Sequence, residues 1–265
     1  MTGRLPLRHP AYGRLRQVTQ YAAVLLARNP GPMTLDGTNT WLLGDIDRTV
    51  VVDPGPDDAE HLDAVAASGP IQWILLTHGH SDHSAGARRL HELTGAPVRA
   101  MDPAHRYGEE GLAEGDAVDA GGVTVRVLAT PGHTSDSLSF IADAGEHRAV
   151  LTGDTILGRG TTVVAHPDGV LADYLDSLRR LRDLGDLTLL PGHGPELPSA
   201  AAAAQRYLAH RAERLDQVRA AVERLEPDAS ARQIVEDVYA DVDRAVWPAA
   251  ELSVRAQLDY FRTQR

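Results

Sequence analysis

Directly after the apolar run Trp73–Leu76 the chain reads THGHSDHSAG, with His78, His80, Asp82 and His83 inside six residues. Three later apolar, β-like runs each end on one further candidate ligand: VRVLATPGH on His133, AVLTGD on Asp154 and LTLLPGH on His193. Neutral imidazoles and carboxylates are good ligands for zinc and similar divalent ions. Seven such groups exceed the needs of one tetrahedral ion and suit two ions, roughly 3.5–4 Å apart, that share a carboxylate. Bound water then titrates near about pH 7, so a bridging hydroxide would form at neutral pH without a protein base. The expected chemistry is hydrolysis, with Asp82 orienting the nucleophile and serving as the proton-transfer group. The other seven histidines (His9, His61, His91, His105, His147, His166 and His210) lie outside these motifs and need no chemical role.

Such ligands must be delivered from strand ends by tight loops, and glycine beside each one permits the sharp turn. The spacing predicts strands at 18–26, 38–44, 49–55, 73–76, 123–130, 187–194 and in the segments PVRA, SLSFIAD and RAVLTGD. Helical spacing covers 57–67, 84–93 and 173–184. From Ser199 to Leu225 a long Ala- and Arg-rich helical pattern runs to Pro227, with shorter helices at 231–239 and 249–262. Strands and helices therefore alternate up to about residue 200, as in an α/β catalytic domain (1–200), and a helical domain (201–265) follows.

Composition excludes several alternatives. The 265 residues are 43% hydrophobic and 24% charged, enough for a sizeable core. There is no cysteine, so disulfides, thiolate zinc sites and a cysteine nucleophile are excluded. All 26 basic residues are arginines, so a Schiff-base lysine and a P-loop lysine are excluded too. The formal net charge of −11 argues against a double-stranded nucleic-acid surface. No apolar run approaches a membrane span, and the basic N-terminus lacks the apolar core of a secretory signal, so a cytoplasmic location is expected.

The ordered set HGHSDH, His133, Asp154 and His193 resembles the metallo-β-lactamase superfamily over residues from about 20 to 200. The resemblance implies an αββα sandwich and two zinc ions, with iron or manganese as alternatives. It implies that His78, His80 and His133 bind one ion, that Asp82, His83 and His193 bind the second, and that Asp154 bridges them. Asp53, in VVDPG, matches the superfamily's first motif aspartate, which supports the ligands from behind. NPGPMTLDGTNTWLLG, GDTILGRGTT and the helical C-terminus are similar to the β-lactamase-like protein 2 group. Its members carry a small winged-helix-like domain after the sandwich; several are endoribonucleases on single strands, and relatives are thioesterases.

The substrate stays open between a small-molecule thioester and single-stranded RNA. For RNA, the N-terminal arm offers Arg4, Arg8, Arg14, Arg16 and Arg28 and no acidic residue up to Leu35. A glyoxalase II-like thioesterase would use cations of the helical segment, where Arg206, Arg211 and Arg214 read as solvated helix faces. β-Lactam hydrolysis is reduced to a promiscuous activity, since true zinc β-lactamases usually replace the bridging aspartate with cysteine or serine. A mono-iron persulfide dioxygenase and a non-catalytic metal-binding protein are the remaining readings. Thr161, Thr162 and His166, in and just after the GRGTT segment, are the expected substrate loop. Oligomeric state is not legible.

Overall fold

The computed structural model describes residues 9–108, 110–225 and 229–264; Arg4, Arg8 and Pro227 lie outside them. Strands β1 (Arg16–Gln17), β2 (Ala22–Leu26), β3 (Asn39–Gly44), β4 (Thr49–Val52), β5 (Ile71–Leu75) and β6 (Val98–Arg99) pair in that order as one sheet. A second sheet has the order β11-β10-β9-β8-β7. Its strands are β7 (Ala117–Asp119), β8 (Thr124–Ala129), β9 (Leu138–Ala144), β10 (His147–Gly153) and β11 (Thr188–Pro191).

Period-two alternation decides which face each residue meets. On β3 and β4, Trp41, Leu43, Val50 and Val52 point between the sheets, onto Val125, Val127, Phe140 and Leu151. Their neighbours Leu42 and Val51 point outward, where they pack with Leu62, Val65 and Leu90 of α1 (Ala59–Ala66) and α3 (Ala87–Thr94). The outer face of the second sheet is covered by α4 (Leu171–Asp183) and α5 (Ala200–Arg224) through Leu175, Leu178, Ala203 and Tyr207. The result is the expected αββα sandwich.

Helix α5 is 25 residues long and outruns the sandwich. Its later residues Val218 and Ala221 form a separate apolar cluster with α6 (Ala231–Val238) and α7 (Trp247–Thr263). The indole N–H of Trp247 donates to the carbonyls of Tyr239 and Val242 and pins the connection between these two helices. Among the described residues no helix is long and apolar enough to cross a membrane.

Two local expectations are corrected and one further strand is found. The strand expected at 18–26 is a hairpin, because Thr19 Oγ1 accepts from the backbone N–H groups of Tyr21 and Ala22 and closes a turn. The helix expected at 84–93 is two pieces, a single turn α2 (Ser81–Ser84) and then α3. Between them Gly86 donates its N–H to the Gly55 carbonyl. A β-carbon on Gly86 would lie 3.0 Å from each of the Gly55 and Pro56 carbonyl oxygens. Strand β7 gives almost no sequence signal, since only Val118 of its three residues is buried.

His61, in the first turn of α1, is 6% exposed and its Nε2 lies 2.9 Å from Thr40 Oγ1. Burial pushes its pKa down to about 4, so the folded state holds it neutral while the unfolded chain titrates near 6.5. Its contribution to stability is therefore complete above pH 6.5 and is lost as pH falls towards 4, by about 3 kcal/mol at about 1.4 kcal/mol per unit. Urea unfolding of metal-free protein at pH 7 and pH 4 measures this. The wild type should lose about 3 kcal/mol more than His61→Gln across that interval.

Candidate metal centre

Strands β8, β10 and β11 run in the same direction, as do β4 and β5, and their carboxyl ends meet at one edge of the sandwich. The segment after β5 carries Thr77 and His78. The loops after β8, β10 and β11 carry His133, Asp154 and His193. The single turn α2 presents Asp82 and His83 one residue apart along its first turn. All seven sequence-predicted ligands are brought together. Potential ligand atoms of His78, His80 and His133 lie within 4.8 Å of one another, as do those of Asp82, His83 and His193 and those of His78, His83 and Asp154.

The ring tautomers follow from what each outer nitrogen meets. His133 Nδ1 lies 2.7 Å from the Val163 carbonyl and His193 Nδ1 lies 3.1 Å from the Gly37 carbonyl, so both must donate. His83 Nδ1 donates to Asp53 Oδ2 at 2.8 Å. Thr77 Oγ1 gives its one proton to Asp53 Oδ2 at 2.7 Å, so it accepts from His78 Nδ1 at 3.0 Å. In its neutral form each of these four rings therefore turns an unprotonated Nε2 inward.

The inward atoms crowd one another. His80 Nδ1 is 3.1 Å from both His78 Nε2 and His133 Nε2, and His83 Nε2 is 3.2 Å from His193 Nε2. With every inward nitrogen unprotonated, lone pairs at such distances repel unless a proton or a metal cation sits among them. Asp154 stands between the two groups, with Oδ1 3.4 Å from both His83 Nε2 and His193 Nε2 and Oδ2 3.8 Å from His133 Nε2. That Oδ1 is buried and makes no hydrogen bond. Asp82 Oδ2 is 3.1 Å from His193 Nε2. Gly192 permits this closeness, since a β-carbon there would lie 2.7 Å from His83 Cε1 and 2.9 Å from Asp154 Oδ1.

Charge in the site is unbalanced in the same sense. Burial pushes the His78 pKa well below its ordinary value, helped by the neighbouring rings of His83 and His133. Burial opposes the charged form of Asp154 too, but His193 and His83 outweigh it and hold the carboxyl well below its usual range. His83 and His193 are driven the other way: the Asp154 carboxylate overcomes their burial, raising His83 strongly and His193 to about 9. Two carboxylates here attract positive charge, and a donor set of this composition fits divalent ions.

Asp53 lies behind the ligands, 2% exposed, with φ of 53°. Besides His83 and the Thr77 hydroxyl it accepts from the Thr77 backbone N–H at 2.8 Å. Thr161 and Thr162 of the GRGTT segment both line the cavity beside the centre, Thr162 as a buried residue whose carbonyl accepts from Arg211. His166 has a different partner, Asp259 of α7 at 2.8 Å, and is not among the residues lining that cavity. Of the three arginines expected as solvated helix faces, only Arg206 is exposed. Arg211 is 3% exposed and Arg214 is half-buried over the Tyr239 ring. Sequence reasoning missed Thr77, the Val163 and Gly37 carbonyls, and Asn39, whose side chain donates to the Pro191 and Gly194 carbonyls. A carbonyl has no sequence signature, and only the polar TNT run before Trp41 hinted at Asn39.

Residues 33–193 match the family model described as the metallo-beta-lactamase superfamily, and residues 230–261 match that of the beta-lactamase associated winged helix domain. The chain is 34% identical over 247 residues to "Beta-lactamase-like protein 2 homolog" of Caenorhabditis elegans, covering 88% of this chain and 81% of that protein. It is 33% identical over 211 residues to "Atrochrysone carboxyl ACP thioesterase" of Aspergillus fumigatus, covering 76% of this chain and 65% of that one. The crystal structure of a beta-lactamase domain protein from Burkholderia ambifaria superposes with a TM-score of 0.80 at 24% identity, covering 97% of this chain and 90% of that one.

Asp53→Asn tests the support behind the ligands. Asparagine tolerates the positive φ but no longer presents acceptors to both the Thr77 hydroxyl and His83 Nδ1. Metal affinity, read by competition with a chromophoric chelator, should fall by about 10- to 100-fold while the far-UV circular dichroism stays that of the wild type.

Proposed function

The chain belongs to the metallo-β-lactamase superfamily, and from that premise we propose a dinuclear hydrolase of ester-type bonds, with a thioester as the leading substrate. In this reading His78, His80 and His133 hold one divalent ion, Asp82, His83 and His193 hold the second, and Asp154 serves both. Zinc is the ion that best suits five imidazoles and two carboxylates without a thiolate, with iron and manganese as alternatives. The observation that carries the reading is the set of inward-facing imidazole lone pairs, fixed by partners on their outer nitrogens, around an unpartnered Asp154 oxygen.

When bound, the ions supply Lewis acidity at the attacked centre and make water acidic enough to react at neutral pH. Of the two carboxylates, Asp82 is the more accessible, its side chain 27% exposed against 10% for Asp154. Asp82 is thus the group able to take a proton at Oδ and return it to a leaving group. Asp154, nearly enclosed, keeps its charge between the two cation positions. The Val163 and Gly37 carbonyls hold the His133 and His193 rings in the one tautomer that leaves Nε2 free.

A thioester is favoured over RNA for two reasons. One is the similarity to a protein named as an acyl-carrier thioesterase. The other is how the N-terminal arginines are spent. Arg16 pairs with Glu196 at 2.8 Å and Arg28 with Glu60 at 2.8 Å, which leaves less positive charge for a phosphate backbone. Residues 1–200 act as the catalytic part and 201–265 as the helical part in this reading, and the setting is cytoplasmic.

Asp154→Asn and Asp82→Asn test it, with metal content by mass spectrometry and turnover on acyl thioesters, single-stranded RNA, S-lactoylglutathione and nitrocefin. The wild type should carry two ions per chain and prefer thioesters. Asp154→Asn should lose at least one ion, and Asp82→Asn should lose about 100- to 10,000-fold in turnover. Wild-type rates in both metal-replete variants would sink this reading.

A further inference from the structure

Beside the centre lies a cavity of about 320 Å³ whose lining includes both His133 and Asp154, so it opens directly onto the ligands. Its walls come from elements far apart in sequence. Met33 and Leu35 form one side, and Val242, Val246 and Ala249, at the entry to α7, form the other. Met33 is 48% exposed at the rim, an apolar side chain left in water. A cavity of this size is at the small end of pockets for organic ligands.

The cations around it are largely committed. Arg211 gives N–H to the Thr162 carbonyl and stacks over the Tyr174 ring at 5.0 Å. Arg214 bonds Gln217 and the Val238 carbonyl and stacks over the Tyr239 ring at 4.4 Å. Arg159 is ion-paired with Asp36 at 2.5 Å. A chain of phosphates would have to break these pairings, whereas an apolar chain would leave them intact. His210 also lines the cavity, and its buried Nδ1, like Arg211 Nε, has no hydrogen-bond partner. Burial, Arg211 and Arg214 all lower its pKa, so the ring is neutral and suits a neutral oxygen.

We propose that this cavity is the acyl subsite, taking an apolar acyl chain that carries a hydroxyl or keto oxygen hydrogen-bonded by His210. The inference rests on the thioester reading above and narrows it to oxygenated, medium-length acyl groups. His210 is then a specificity residue remote from the bond broken, and the C-terminal helices select the substrate.

The test uses metal-loaded full-length protein and N-acetylcysteamine thioesters from acetyl to decanoyl, with decanoyl also hydroxylated at C3, C6 or C10. For the wild type kcat/KM should rise about three- to fourfold per methylene until the cavity is full. One hydroxylated isomer should gain a further fivefold to tenfold or so. Ala249→Trp should collapse the decanoyl-to-acetyl ratio towards 1, and His210→Leu should erase the hydroxyl preference while keeping the chain-length trend. Calorimetry with the decanoyl thioether, which cannot be hydrolysed, reads the same pocket in metal-free protein. Binding there should be lost in Ala249→Trp and kept in His210→Leu. Thioester turnover with no chain-length or hydroxyl preference would overturn the subsite and leave the hydrolase reading standing. No turnover of any thioester at full metal content would overturn the thioester reading itself, whatever the thioether does.

Discussion

The centre depends on the Asp53 carboxylate. It sits at the end of β4 with positive φ, and it accepts from the Thr77 backbone N–H, the Thr77 hydroxyl and His83. One side chain thereby joins the ends of two neighbouring parallel strands to the short helical turn that carries Asp82 and His83. The Thr77 hydroxyl, its proton taken by Asp53, can only accept from His78, so the same carboxylate sets the tautomer of a second ring at one remove. A buried charge with all its neighbours donating is stable; the same charge with one donor removed is costly, and that asymmetry keeps the arrangement rigid.

The second sheet solves the same problem without a carboxylate. His133 and His193 are oriented by backbone carbonyls, of Val163 and Gly37, that belong to loops crossing the top of the sandwich. The loop that carries Val163 is itself anchored. Thr162 gives its carbonyl to the buried Arg211 of α5, and Val164 donates its N–H to Ser253 of α7. The C-terminal helices thus hold the loop that holds a ligand, and they wall the cavity beside it. Their packing bears on both ligand geometry and substrate fit.

Legibility followed the kind of signal each feature left. The HGHSDH run and the three ligands after apolar runs were readable because strand periodicity marks where a side chain emerges. The sandwich was readable through the superfamily resemblance that the ordered ligand set carries; the continuously apolar β3 and β4 marked strands buried on both faces but not their arrangement. The hairpin at Thr19 and the break at Gly86 were not, because each turns on local hydrogen bonds with the backbone rather than on a hydrophobic pattern. Arg211 was misread for a related reason. A helical repeat of alanine and arginine looks solvated until a carbonyl and the Tyr174 ring from elsewhere in the chain close over it. His166 likewise found Asp259, 93 residues away.

The sequence by itself determined the chemical types and order of the seven candidate ligands, because donor identity and strand spacing are local properties, and through the resemblance they carry it pointed to the family and its two-sheet architecture. Only the tertiary structure decided which nitrogen of each ring faces inward and which arginines are already spent. Those outcomes depend on backbone carbonyls and rings brought together from distant positions, and a carbonyl is chemically the same at every residue. The cavity between the 32–35 loop and the start of α7 belongs to the same class: its walls are ordinary apolar residues until the fold sets them beside His133 and Asp154.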